Sequence, residues 1–466
     1  NWCPVIPRCS SAMVPLTILL FILAGREVSG TRYTPDWSSL DSRPLPQWYD
    51  DAKVGIFIHW GVFAVPSFTS EWFWHSWAGG NEECVNFMKN NYRPGFTYQD
   101  FAPEFTAEFY DPEHWAKVFK SSGAKYVVLT SKHHEGFTLW PSKHSWSWNA
   151  MDVGPKRDLV GDLAKAIRSK SPDVHFGLYH SMFEWFNPLY LQDKANNLTT
   201  NHFVETKSMP ELYELVNNYE PDVIWSDGAQ GEPDWYWNST VFLAWLFNDS
   251  PVKDTVVVND RWGDGDMCAH GSFYTCADRY NPGVVQPHKW ENCLTLDKMS
   301  WGYRRTASFL DYMTIHELLT SLVTTVSCGG NMLINIGPTK EGTLPALMEE
   351  RLMQMGQWLS INGEAVYASK AWVHQNDTLT PGVWYTSKAD TVYAFTLEWP
   401  RGDMLTLGSV QSTPTTSITM MGQGSQKLLH KDINKGLQVA LPSMSEVISE
   451  WVWVIKMENV RPKRDT

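Results

Sequence analysis

Tyr126-Val-Val-Leu129 is a short apolar run that breaks directly into Thr130-Ser131-Lys132-His133-His134-Glu135-Gly136, and the same device recurs between residues 54 and 338. Val54-Gly-Ile-Phe-Ile58 meets His59-Trp60-Gly61, and Val174 to Leu178 meets Tyr179-His180-Ser181. Val223-Ile-Trp225 meets Ser226-Asp227-Gly228, and Thr255-Val-Val-Val258 meets Asn259-Asp260-Arg261-Trp262-Gly263. Met332-Leu333-Ile334 meets Asn335-Ile336-Gly337-Pro338. Apolar runs of this length without polar alternation read as strands buried on both faces. Helical patterns separate them at 112–122, 158–170, 209–219 and 345–359; the last places Leu347, Met348, Leu352, Met355, Trp358 and Leu359 on one face. Strands alternating with helices predict a parallel sheet, and polar residues gathered at the strand C-termini predict a (β/α)8 TIM-like barrel. Six strands read directly. The two still needed to close a barrel are expected near Ser70 to Trp74 and near His288 to Glu291. A doubly wound sheet is the rival, but no glycine-rich nucleotide turn follows the first strand.

Beyond Gly363 the period shortens. Val383-Trp-Tyr385, Thr391 to Thr396, Leu405 to Leu407, Ile418 to Met420, Gly436 to Val439 and Glu450 to Ile455 alternate apolar and polar residues between turns, which predicts a C-terminal antiparallel β-sandwich. At the other end, residues 14–24 form an apolar run of signal-peptide length, and Val28-Ser29-Gly30 supplies small residues for cleavage. The expected division is therefore a leader over 1–30, a catalytic barrel over 31–363, and a sandwich with its tail over 364–466. Residues 1–12 precede the plausible initiator Met13 and are set outside the functional protein.

A leader implies secretion, with no membrane segment in the mature chain. It makes the sequons at Asn197, Asn238 and Asn376 usable for glycosylation; the one at Asn248, followed by Pro251, is the poorest. Without Cys3 and Cys9, five cysteines remain, so at least one thiol stays unpaired within the chain. Cys268 and Cys276 are close enough to close a small disulfide loop. The 466 residues carry 51 acidic against 38 basic side chains, a formal charge of −13 that argues against nucleic acid as a partner. The 25 tryptophans point elsewhere, because an indole offers a flat apolar face with one N–H. Trp60, Trp72, Trp74, Trp262, Trp290 and Trp301 lie in or beside the polar clusters, where they are expected to stack on a sugar; the rest read as structural.

Asp227 ends a buried strand and points from a rigid scaffold toward the expected cleft. An Asp before Gly is ordinarily a turn residue, but its place after Val-Ile-Trp makes it the candidate nucleophile. A glycosidase also needs a proton donor across the scissile bond. Asp278, in Thr275-Cys-Ala-Asp-Arg279, and Glu291, in His288-Lys-Trp-Glu291, both qualify. The bland alternatives are ion pairs with Arg279 and Lys289, and Trp290 is positioned to desolvate Glu291. His59, His133 and His134 invite a metal reading, but adjacent residues on a strand face opposite ways and no helix-borne His-Glu-x-x-His is present. Imidazoles hydrogen-bonding sugar hydroxyls, with Glu71 accepting from two more, suit these positions better. No Gly-x-Ser-x-Gly elbow supports serine chemistry. The alternatives to a glycosidase are an inactive secreted sugar-binding protein and a metal-dependent barrel hydrolase.

Phe57-Ile-His-Trp-Gly61, Ser70-Glu-Trp-Phe-Trp74, Ser131-Lys-His-His-Glu-Gly-Phe137, Trp225-Ser-Asp-Gly228, Asn259-Asp-Arg-Trp-Gly263, His288 to Cys293 and Ser300-Trp-Gly-Tyr-Arg-Arg305 together resemble the α-L-fucosidases of glycoside hydrolase family 29. The likeness runs from about Arg32 into the sandwich. Phe273-Tyr-Thr-Cys-Ala-Asp-Arg-Tyr-Asn-Pro282 is most similar to secreted animal members; His75-Ser76 departs from them, where a further aromatic follows Trp74. The resemblance implies a retaining exo-hydrolase of terminal α-L-fucose acting on fucosylated glycans of glycoproteins, glycolipids and oligosaccharides. It implies no cofactor, no metal, a homo-oligomer, and a secreted or lysosomal destination. It implies Asp227 as nucleophile and prefers Asp278 over Glu291 as acid/base. His59, Glu71, Trp72, His133, His134, Tyr179, Arg261 and Trp301 match sugar-binding positions.

Overall fold

The structure, a computed structural model, describes residues 32–229 and 231–463. The apolar run 14–24, the small residues at 28–30 and the first two cysteines lie outside them. Seven parallel strands form one curled sheet: β1 (Val54–Ile58), β2 (Tyr126–Lys132), β3 (His175–Ser181), β4 (Val223–Asp227), β5 (Val257–Val258), β6 (Glu291–Thr295) and β7 (Asn331–Ile336). Their spatial order is β5-β4-β3-β2-β1-β7-β6. Nearly every strand residue is buried, as a parallel sheet covered on both faces requires.

Between β5 and β6 the eighth barrel position is filled by an irregular segment. Ser272 N donates to Val258 O, Tyr274 N to Lys289 O, and Glu291 N to Tyr274 O, leaving a single parallel bridge between Tyr274 and Trp290. The strand expected near His288 to Glu291 exists but begins at its end, over Glu291–Thr295. The strand expected near Ser70 to Trp74 does not form. That stretch is a turn entering a helix over Phe73–Ala78, because Phe73 is buried and Trp77 lies one turn on, their rings 6.1 Å apart, on the same face.

The helices form as their ends dictate. Asp111 caps Pro112–Ser121 by accepting from Glu113 N and His114 N, and Pro112 occupies the first turn, where its missing N–H costs nothing. Asp158 caps Leu159–Lys170, and Thr314 and Glu317 make a capping box for Ile315–Ser327. Met209–Tyr219 stops at Glu220, whose φ of 47° is left-handed. Ala346–Asn362 buries Met348, Leu352, Met355, Trp358 and Leu359.

Past Gly363 the chain is antiparallel. Ser417–Met420, Trp453–Glu458, Thr391–Thr396, Val383–Lys388 and Lys370–Asn376 pair in that order into a five-stranded sheet. Met404–Leu407, Gly436–Ala440 and His430–Ile433 form a three-stranded sheet, with Leu405, Leu407, Leu437 and Val439 turned into a core shared with Tyr385, Ile418 and Ile455. Trp358 anchors this part to the barrel by donating its Nε1 to Val452 O at 2.7 Å. Among the described residues no helix is long and apolar enough to cross a membrane.

Candidate active site

The barrel interior is layered. At its floor Glu291 is fully buried, and its carboxylate accepts from Tyr49 Oη at 2.7 Å, Tyr126 Oη at 2.6 Å and Trp225 Nε1 at 3.0 Å. Burial pushes this carboxyl up. Tyr126 fits there because β1 carries Gly55 opposite it; a Cβ on that glycine would stand 2.4 Å from the Tyr126 ring. Glu291 does not line the cleft above. Trp290 does not desolvate it either, since successive strand residues face opposite ways and the Trp290 indole turns outward to donate to Cys328 O. Lys289 pairs with Asp50, not with Glu291.

One layer higher, the strand C-termini and following loops enclose a cleft lined by Phe57, His59, Glu71, Trp72, His133, His134, Tyr179, Trp225, Asp227, Arg261, Asp278 and Trp301. The cleft is narrow, about 80 Å3, below the roughly 300–1,000 Å3 of pockets that take drug-sized ligands. Every residue matched above to a sugar-binding position is present, with Asp227 and Asp278. Phe57 and Trp225 line it as well. Trp225 was legible: it stands two residues before Asp227 on β4 and so shares its face.

Asp227 sits at the end of β4 and is 7% exposed. Its Oδ2 accepts from Tyr179 Oη at 2.8 Å and lies 3.6 Å from His134 Nε2. Oδ1 is buried without a hydrogen-bond partner, with Arg261 Nη1 3.8 Å away. Burial pushes the Asp227 carboxyl up, against the opposing pull of Arg261 and the Tyr179 hydroxyl. Arg261 also donates Nη2 to Asp278 Oδ1 at 2.6 Å and Nε to Thr275 Oγ1 at 3.0 Å, while its guanidinium lies 4.7 Å above the Trp225 ring. One guanidinium thus touches both carboxylates. Asp278 keeps a half-exposed side chain, 46%, at the rim, and its ion pair is with Arg261, not Arg279. The Cys268–Cys276 disulfide closes the loop that immediately precedes it. Cys84, Cys293 and Cys328 are buried free thiols.

Hydrogen bonds from behind set which nitrogen of two histidines faces the cleft. Asn335 Nδ2 donates to Trp301 O at 2.7 Å, so its Oδ1 accepts from His59 Nδ1, also at 2.7 Å. Ser181 Oγ donates to Phe183 O and therefore accepts from His134 Nδ1 at 2.7 Å. Both rings present Nε2 as an acceptor, and burial holds both well below the usual histidine range, hence neutral. Glu71 Oε2 accepts from Ser300 Oγ, Trp301 N and Gly302 N, which leaves Oε1 for a ligand hydroxyl.

His133 and His134 were expected on opposite faces. Both line the cleft, because β2 ends at Lys132 and the alternation ends with it; their rings are 4.1 Å apart. Gly136, at φ 84°, then closes a turn in which its N–H donates to His133 O. The tryptophans divide. Trp72 and Trp301 line the cleft, whereas Trp60, Trp262 and Trp290 are buried and Trp74 stacks on Tyr98 with rings 4.4 Å apart. Among the described residues no group of three or more His, Cys, Asp and Glu side chains is arranged to hold a metal ion.

The family model for α-L-fucosidase matches residues 20–364, and that for the α-L-fucosidase C-terminal domain matches residues 375–458. An α-L-fucosidase from Branchiostoma floridae is 60% identical over 433 residues, covering 92% of this chain and 96% of its own. The plasma α-L-fucosidase of Rattus norvegicus is 55% identical over 451 residues, covering 96% and 98%. The crystal structure of the Thermotoga maritima α-fucosidase with a mechanism-based inhibitor superposes with a TM-score of 0.81 at 32% identity, covering 92% of this chain and all of that one. The chain belongs to the α-L-fucosidase family of glycoside hydrolases, close to the animal plasma form, with a TIM-like barrel and a C-terminal β domain.

Proposed function

We propose that the cleft removes terminal α-L-fucose from glycans by double displacement, with Asp227 as nucleophile and Asp278 as acid/base. The observation that carries this reading is the Arg261 guanidinium beside both carboxylates, one buried within the cleft and one at the rim. A retaining glycosidase needs its two carboxyls about 5–5.5 Å apart, and a shared guanidinium suits that closeness. Tyr179 engages Asp227 Oδ2, so the unpartnered Oδ1 is the oxygen that attacks the anomeric carbon. Asp278, in reach of solvent, gives its proton to the departing glycosidic oxygen and then takes one from the water that releases the sugar. His59 Nε2, His134 Nε2 and Glu71 Oε1 accept sugar hydroxyls, and the faces of Trp72, Trp301, Phe57 and Trp225 suit the ring and the deoxy-sugar methyl.

Asp227→Gly is expected to lose most turnover on an aryl fucoside, and azide to restore part of it by replacing the missing nucleophile. Unchanged activity in that variant refutes the assignment. Trapping with a fluorosugar followed by peptide mapping is expected to label Asp227.

The same reading makes the protein a secreted glycoprotein. Asn197 and Asn376 are exposed and Asn238 is half-buried, whereas the Asn248 amide is already bonded to the backbone of Tyr33. Similarity to a plasma enzyme supports that destination, a lysosomal one being the alternative, and the resemblance adds self-association into an oligomer.

A further inference from the structure

Glu135 follows the two cleft histidines and is 4% exposed, yet neither of its carboxylate oxygens has a hydrogen-bond partner. A buried carboxylate without partners is costly, and such a group in a native fold calls for a reason. His133 Nδ1 lies 3.5 Å from its Oε2 and is equally without a hydrogen bond. The carboxylate is also confined. It packs against the backbone at Gly61, where a Cβ would come within 3.0 Å of Oε1, and the Glu135 carbonyl is held by Trp148 Nε1 at 3.0 Å.

His59 and His134 show what this pairing does. Each has Nδ1 tied from behind at 2.7 Å, to Asn335 and Ser181, and each turns Nε2 toward the cleft. His133 lies between them, its ring 5.8 Å from that of His59 and 4.1 Å from that of His134, and it stacks on Tyr179. It is the one of the three whose backing group has not closed to hydrogen-bond distance. A carboxylate only accepts, so contact with it requires the proton on Nδ1 and, in a neutral ring, leaves Nε2 to accept from the ligand.

We infer that Glu135 is a positioning residue for the sugar site: when fucose occupies the cleft, its carboxylate accepts the His133 Nδ1–H and thereby fixes the ring and its tautomer. This rests on the reading of His133 as a sugar contact. Glu135 does not touch the sugar itself, and no bond is made or broken at it.

Three variants and one spectrum test this. In the wild-type enzyme with fucose bound, nitrogen-15 NMR of the His133 ring is expected to show protonated Nδ1; an Nε2–H tautomer overturns the proposal without any mutation. Glu135→Leu is expected to raise KM for an aryl fucoside and the inhibition constant of fucose about tenfold, with kcat changed less than about threefold, because a contact made in both ground and transition states is weakened. Glu135→Gln, whose amide oxygen still accepts from Nδ1, is expected to stay within about threefold of wild type. Leu without effect, or Gln as damaging as Leu, overturns the proposal. His133→Ala, run alongside, separates the two readings: unchanged fucose binding there removes His133 from the site, whereas weakened binding there with an indifferent Glu135→Leu removes Glu135 alone.

Discussion

Replacing Glu291 by Gln and by Leu separates a structural carboxyl from a catalytic one. Glu291 accepts three bonds from buried donors, two tyrosine hydroxyls and the Trp225 indole. Leu strands all three. An unsatisfied buried donor costs about 1–3 kcal/mol, and loss of a carboxyl that burial already disfavours offsets part of the total. The expected loss is about 3–5 kcal/mol, and a chain of this size loses roughly 1 °C of Tm per kcal/mol. Gln keeps the indole bond, and both hydroxyls turn to accept from its amide, for about 1–2 kcal/mol. On an aryl fucoside Glu291→Gln is expected to retain kcat within about threefold, whereas removing a general acid costs about 10²–10⁴-fold. Asp278→Asn is expected to show that larger loss. The pH dependence has a definite sign. Burial raises the folded Glu291 pKa above its unfolded value, so its contribution is complete below about pH 4 and fades as pH rises through the folded pKa. The deficit of Glu291→Gln in thermal melts therefore shrinks from pH 4 toward neutrality. A Gln variant with ordinary Tm and kcat reduced a hundredfold refutes the reasoning and makes Glu291 the acid.

The carboxyl of Asp227 follows the same sign. It is raised chiefly by burial and its Oδ1 has no partner, so the stability of Asp227→Asn relative to wild type is expected to rise between pH 4 and pH 7; urea melts at the two pH values check this, and a pH-independent difference contradicts it. Replacing Cys268 and Cys276 by Ser removes a loop constraint worth at most about 2–3 kcal/mol. Asp260 Oδ2 still accepts from the backbone N–H of residues 268, 275 and 276, so kcat/KM is expected to fall severalfold without the loop being lost, as activity assays with and without reductant on the wild type also read out.

The six strands legible in the sequence, β1 to β5 and β7, announce themselves as short apolar runs, because a strand covered on both faces of the sheet takes apolar side chains on both. The eighth barrel position carries no such run. Ser272-Phe-Tyr-Thr275 makes one bridge and places a single large side chain, Phe273, inward against Tyr49 with rings 4.6 Å apart, and a pattern of one residue has no period. The turn at Ser70 to Trp74 misleads for the opposite reason: its aromatics have strand propensity, but Phe73 and Trp77 are four apart, and packing decided for the helix. At the site, residue types were legible and layers were not. Asp278 and Glu291 both stand near the ends of the same barrel gap, and what distinguishes them is height: Glu291 opens β6 at the floor, whereas Asp278 is carried by a loop to the strand-end rim where Arg261 meets it. A barrel's chemistry occurs at the C-terminal ends of its strands, so an acid at the first residue of a strand belongs to the packed interior even when it is the only carboxyl nearby. Where a strand begins, and not where polar residues cluster along the chain, is therefore what separates the two carboxyls by layer.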